Sequence, residues 1–129
     1  MSRKIICLSL GVVWLTNAAA EIYGGTTALE RAQLPKYCYA QYVDDKLRGH
    51  PEYSFPPSCG GWMNHYCGGL VALLRAEKAS NPTSARAREA NQAITDFNYT
   101  LSHMEKGCPL RGDVEAALVK ARALAARLK

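Results

Sequence analysis

Four cysteines, Cys38, Cys59, Cys67 and Cys108, follow what reads as an export signal, and the pair of features limits the chain to a small domain held by covalent cross-links. The signal is read from Arg3 and Lys4, the apolar run over residues 5–15 and the small-residue stretch Ala18-Ala19-Ala20. Residues 1–20 are therefore expected to be removed, and Cys7 leaves with them. Lys4-Ile5-Ile6 before Cys7 lacks the small residues that a lipid-attachment site wants. An even number of thiols in an oxidising compartment reads as two disulfides. Three pairings are open; Cys38 with Cys67 and Cys59 with Cys108 is preferred, because Cys38 and Cys67 each fall on a predicted helix that one bridge would staple to the other. Successive cysteines are 21, 8 and 41 residues apart with no C-x-x-C, which disfavours a structural zinc site, a thioredoxin-like redox motif and covalent haem attachment.

About 109 residues remain from Glu21. That suits one domain with a modest core and excludes a two-domain enzyme with a separate cofactor module. The 16 Lys and Arg lose Arg3 and Lys4 with the leader, leaving 14 against 11 acidic residues, a mature net charge of +3. A strongly basic nucleic-acid binder is not supported. Past Leu15 no apolar stretch approaches the roughly 20 residues of a membrane span, so no stable span is expected after cleavage.

The periodicity is helical throughout. Thr27 and Glu30 have capping-box spacing before a short helix over 28–33. Pro35 opens a second helix over 36–47, with Tyr39, Tyr42, Val43 and Leu47 near one stripe. Residues 49–61 hold Pro51, Pro56, Pro57, Gly60 and Gly61 and form the one long loop, a binding element or a segment pinned by Cys59. Its aromatics Tyr53 and Phe55 are expected to cover a core edge. A third helix covers 62–79, and Gly68-Gly69 within it suggests close approach of a neighbouring helix, since each Gly otherwise costs about 1 kcal/mol against Ala. A fourth covers 84–106, its apolar positions Ala87, Ala90, Ile94, Phe97, Leu101 and Met104 stepping by 3, 4, 3, 4 and 3. Asp113 is expected to cap a fifth helix ending at Leu128. No segment alternates like a strand, so the domain is expected to be all-α, built of antiparallel hairpins and stapled by disulfides.

Gly69-Leu70 with Leu73 and Leu74, the A-x-x-x-F of Ala93 and Phe97, and Pro109 before the last helix resemble a tetratricopeptide repeat followed by a capping helix. The resemblance covers 62–129, about half the chain, with one full repeat and an insertion at 78–88. The segments Leu34-Pro35-Lys36-Tyr37-Cys38 and His65-Tyr66-Cys67-Gly68-Gly69-Leu70 are also similar to small exported bacterial proteins of repeat type. What this implies is a helical scaffold for protein contacts, with no catalytic residues.

The densest cluster of functional side chains is Trp62-Met63-Asn64-His65-Tyr66-Cys67. Met63, His65 and Cys67 offer copper-type or haem-type ligands, but residues two apart on a helix diverge, so they converge only if the helix starts after Trp62. Ser102, His103 and Glu105 are adjacent on a helix and are expected to point apart rather than form a relay. Asn98-Tyr99-Thr100 and Arg111-Gly112-Asp113 spell a glycosylation acceptor and an adhesion tripeptide, and both read as incidental to helix and turn. Lys120, Arg122, Arg127 and Lys129 crowd the last helix, where cations favour its C-terminal dipole and a solvated face is expected. The expected function is non-enzymatic and without cofactor: a periplasmic or secreted scaffold that binds a protein or peptide in the cell envelope, either transiently or as part of an assembly. Its contact surface joins residues 37–42, the Pro-rich loop and the start of the third helix, with Tyr39, Tyr42, Trp62, His65 and Tyr66 as binding residues. A small metal or haem carrier centred on His65 and Met63 is the competing expectation.

Overall fold

The computed structural model describes residues 25–129, so the signal expected over 1–20, and Cys7 within it, lie outside the described residues. The described chain is helical, with no strand. Helix α1 (Ala28–Ala32) starts on the expected capping box: Glu30 N–H donates to Thr27 Oγ1 at 3.2 Å and Thr27 N–H donates back to Glu30 Oε2 at 2.8 Å. Two donors that a helix start leaves without partners are thereby satisfied, an arrangement worth about 1 kcal/mol.

The second helix is shorter than its stripe suggested. A 3-10 turn (Lys36–Cys38) leads into the single turn of α2 (Tyr39–Tyr42), and a further 3-10 turn (Asp45–Leu47) follows instead of continuing helix. The break is at Asp44, which is extended (φ −154°, ψ 120°) and accepts the N–H of Lys46 on its side chain. A short acidic side chain that caps the following turn competes with the helical ladder, and here it wins. Residues 49–61 are irregular as expected, with 3-10 turns at Pro51–Tyr53 and Pro57–Cys59.

Helices α3 (Asn64–Glu77), α4 (Thr83–His103) and α5 (Arg111–Arg127) form the body. Asp113 does not cap α5; Leu110 occupies that place and Asp113 lies in the first turn, where its charge still suits the helix dipole. Contacts between α3 and α4 run in opposite chain directions, from Trp62 beside His103 through Gly69 beside Phe97 to Arg86 Nε donating to Ala76 O. Those of α4 and α5 do likewise, with Arg122 on Asn98 and Arg111 on Met104 O. The core lies between the three helices around Tyr66, Leu73, Phe97, Val114 and Leu118. A smaller cluster of Leu34, Cys38, Cys67 and Val71 joins the N-terminal segment to α3.

Both preferred disulfides are present. Cys38 and Cys67 bond at 2.02 Å, and Cys59 and Cys108 at 2.06 Å. The first ties the turn before α2 to α3, and the second ties the end of the Pro-rich loop to the turn between α4 and α5. The two cross-links fit an oxidising compartment. Among the described residues no helix is long and apolar enough to cross a membrane.

Helix α1 is held to α3 by Arg75, whose Nε donates to Glu30 Oε1 at 2.8 Å and whose Nη2 donates to the carbonyl of Gly25. Partial burial pushes the Glu30 carboxyl up, but the hydrogen bonds and charge of Arg75 and the bonds from Thr27 outweigh it and hold it below its ordinary value. A carboxyl lowered by folding contributes stability above its ordinary value of 4.5, and that contribution is lost as pH falls through the lower folded value. The protection of the α1 amides, relative to their intrinsic exchange rate at each pH, is therefore expected to fall on acidification below about pH 4.5 before that of α3 and α4. Glu30→Gln is expected to show the lower protection already at pH 7 and to lose the pH step.

Candidate functional site

The expected contact surface contains a cleft. An open depression of about 520 Å³ lies where residues 37–41, the Pro-rich loop and the first residues of α3 meet. That volume is in the range of small-ligand sites. Two aromatic contacts dock the loop on the preceding segment: Tyr37 on Phe55, with centroids 4.8 Å apart, and Tyr39 on Tyr53, 5.9 Å apart. An ion pair of Lys36 and Glu52 joins the same two stretches at the surface. The loop is thus pinned by aromatic stacking at one end and by the Cys59 bridge at the other. Phe55 covers a core edge, as expected, and also lines the cleft.

Tyr37, Phe55 and Met63 give the cleft an apolar wall, while Gly49, Gly60 and Gly61 leave backbone bare along it. Gly60 has φ +78°, a conformation that side chains disfavour, so glycine is needed there for the turn. Gly61 has no such requirement, and a Cβ built on it meets no atom within 4 Å. Among the described residues the polar lining is Gln41, Arg48, Ser54 and Asn64, of which Arg48 alone is charged.

The residues singled out from sequence divide between three places. Tyr39 and Tyr42 are half-buried beside the cleft; Tyr39 stacks on the loop, and the Tyr42 hydroxyl accepts from Gln41 Nε2 at 3.2 Å. Burial, followed by the nearby Asp96 carboxylate, pushes the Tyr42 hydroxyl's pKa up, so it stays a neutral donor and acceptor. Tyr66, expected as a contact residue, is only 4% exposed and packs on Phe97 and Tyr37 inside the core. Its hydroxyl is pushed up by burial and by Tyr37, and it offers no area to a partner.

Trp62 and His65 belong to a second surface. Trp62 is 49% exposed and packs edge-on against Tyr99 and beside His103. The rings of His65 and His103 lie 4.2 and 4.0 Å from that of Tyr99, and His65 Nδ1 lies 3.2 Å from Asp96 Oδ1. Sequence reasoning met Tyr99 and His103 only in patterns it set aside, and did not group them with Trp62 and His65. Asp96, Tyr99 and His103 step by 3 and 4 along α4, a spacing beside the apolar stripe that places them on one face.

Helix α3 does start after Trp62, yet Met63, His65 and Cys67 part company. Met63 is 1% exposed in the core, Cys67 is bonded to Cys38, and His65 faces Asp96 on α4. Among the described residues no group of three His, Cys, Asp or Glu side chains is arranged around a common point. Ser102 and His103 do not point apart as expected: Ser102 Oγ lies 2.9 Å from His103 Nδ1. Both, however, are turned onto the carbonyl of Tyr99, to which Ser102 donates at 2.8 Å. Glu105 lies elsewhere, with its side chain against Gly60, so the three do not form a relay.

No protein-family model, no curated protein and no solved structure matches the chain.

Proposed function

We propose that the protein is an exported helical module of tetratricopeptide type that acts in the periplasm by binding a peptide or protein segment, without enzymatic activity of its own. The observation that carries this reading is the cleft at the junction of 37–41, the pinned loop and α3. It combines stacked aromatic walls, which give contact area at low entropic cost, with bare glycine backbone that an extended peptide can approach. Two disulfides and two aromatic contacts, one tilted and one stacked, hold its sides, so little ordering is required on binding. The tetratricopeptide reading draws support from Gly69, Ala93 and Phe97, which are buried together where α3 meets α4.

The test is site-specific photo-cross-linking in cells. A cross-linker at Gln41 or Asn64 is expected to capture a defined partner, while one at Val119, which is 66% exposed on α5, captures none of it. Gly61→Leu adds bulk at the cleft where the fold leaves open space, and it is expected to cut that capture at least fivefold with an unchanged melting temperature. Capture indifferent to Gly61→Leu would remove the cleft from the interaction.

A further inference from the structure

We propose that the cleft selects segments bearing a single carboxylate, with Arg48 as the group that holds it. This rests on the peptide-binding reading above and adds the chemistry of the ligand. Among the described residues that line the cleft, Arg48 is the only charged one and none is acidic. Among the described residues, no carboxylate lies within ion-pair distance of the Arg48 guanidinium, whereas Lys36, Arg75 and Lys120 each hold one. Other cations among the described residues also lack an ion pair; what sets Arg48 apart is its place beside a concave, partly apolar site, where it presents five donors in a planar fork. That fork matches a carboxylate with two parallel hydrogen bonds, and Tyr37 and Phe55 offer apolar contact beside it.

The lining also discriminates between anions. A doubly charged phosphate or a polyanion calls for several cations or a full cradle of donors, and here one cation stands among amides and a hydroxyl. Gln41 and Asn64 suit peptide groups rather than further charge, since an amide both donates and accepts. Asn64 opens α3 and no side chain caps that helix, so the positive end of its dipole adds to the preference for negative charge. Apolar wall, bare glycine backbone, amides and one guanidinium together describe a site for a short peptide stretch with one negative charge. The charge comes either from a chain's C-terminal carboxylate or from an Asp or Glu side chain within a segment.

The probe is a synthetic octapeptide array made in four versions: unmodified, with the C-terminus amidated, with Asp and Glu replaced by Asn and Gln, and with both changes. Affinities of the retained peptides are measured by fluorescence polarisation with the whole mature protein. Unmodified peptides are expected to bind about tenfold or more tightly than the doubly neutralised set, the size of effect that a hydrogen-bonded charge carries. Loss on amidation alone assigns the carboxylate to a C-terminus, and loss on Asn/Gln replacement alone assigns it to a side chain. Arg48→Met is expected to abolish the discrimination, Arg48→Lys to retain part of it, and Arg88→Met, an exposed change on α4, to leave it intact. Equal binding of all four versions, or an Arg48→Met protein that still discriminates, overturns the carboxylate inference while the peptide-binding reading stands. Failure to bind any version overturns that reading and the inference with it.

Discussion

Replacing Cys59 and Cys108 by alanine is expected to lower the free energy of unfolding by about 4 kcal/mol, visible as a large drop in the urea midpoint. The bridge closes a loop of sequence separation 49, and in the chain-entropy account a loop of that size restricts the unfolded chain by about this much. The Cys38–Cys67 bridge closes a separation of 29, so its removal is expected to cost slightly less, about 3.5 kcal/mol. The two loops interleave, since Cys59 lies between Cys38 and Cys67, and the losses will not simply add. Domains of this size have total stabilities of roughly 5–15 kcal/mol, so either loss is a large fraction of the whole. The slope of the denaturation curve should also steepen, because an unfolded chain freed of its bridge exposes more surface. An unchanged midpoint would mean that the unfolded state is compact without the cross-link.

Gly69→Ala is expected to destabilise the protein by about 2 kcal/mol, although Gly to Ala within a helix ordinarily stabilises by about 1 kcal/mol. A Cβ built on Gly69 would stand 2.5 and 2.7 Å from two ring atoms of Phe97, distances that demand displacement. Phe97 is fully buried and in contact with Tyr66, so the ring has nowhere to go without parting α3 from α4. The neighbouring Gly68 provides the contrast. Its added Cβ would lie 3.5 Å from Asp96 Oδ2 and 3.7 Å from the Tyr42 hydroxyl, which are ordinary contact distances. Gly68→Ala is accordingly expected to be neutral or mildly stabilising. Thermal denaturation of the two single variants decides the point, and Gly69→Ala combined with Phe97→Leu should recover part of the loss if the clash is its cause. Equal effects of the two glycine substitutions would show that helix propensity, and not the close approach, governs this interface.

The fold was legible where one periodicity ran uninterrupted. Helix α4 follows from the 3-4 spacing of Ala90, Ile94, Phe97 and Leu101, although Ala93 is buried where Ile94 is only partly so, and Thr27 with Glu30 announced α1. The pairing of the cysteines was legible for a related reason: Cys38 falls on a turn and Cys67 on a helix that pack together, and one pairing leaves the other fixed. The second helix was misread because its stripe of Tyr39, Tyr42 and Leu47 is helical in spacing while Asp44 diverts the backbone in the middle. Local side-chain hydrogen bonding at one residue outweighed a periodicity spread over twelve.

The site was legible as a neighbourhood and not as a list of residues. The junction of 37–42, the Pro-rich loop and the start of α3 follows from the concentration of aromatics and chain breakers, and the cleft lies there. Which side chains line it does not follow, because an aromatic residue in such a stretch serves core and surface equally well. Tyr66 went inward, where α3 turns it onto Phe97, and Trp62 stayed outward against Tyr99 and His103. Arg48 was not singled out in one dimension, and Asn64 only as a member of the cluster from Trp62 to Cys67. Composition, helical periodicity and cysteine count are properties of the chain itself, and they set the all-helical class, the compartment chemistry and the staples. The cleft and the arginine at its edge arise from segments distant in sequence, and only packing determines which of their side chains face the same space.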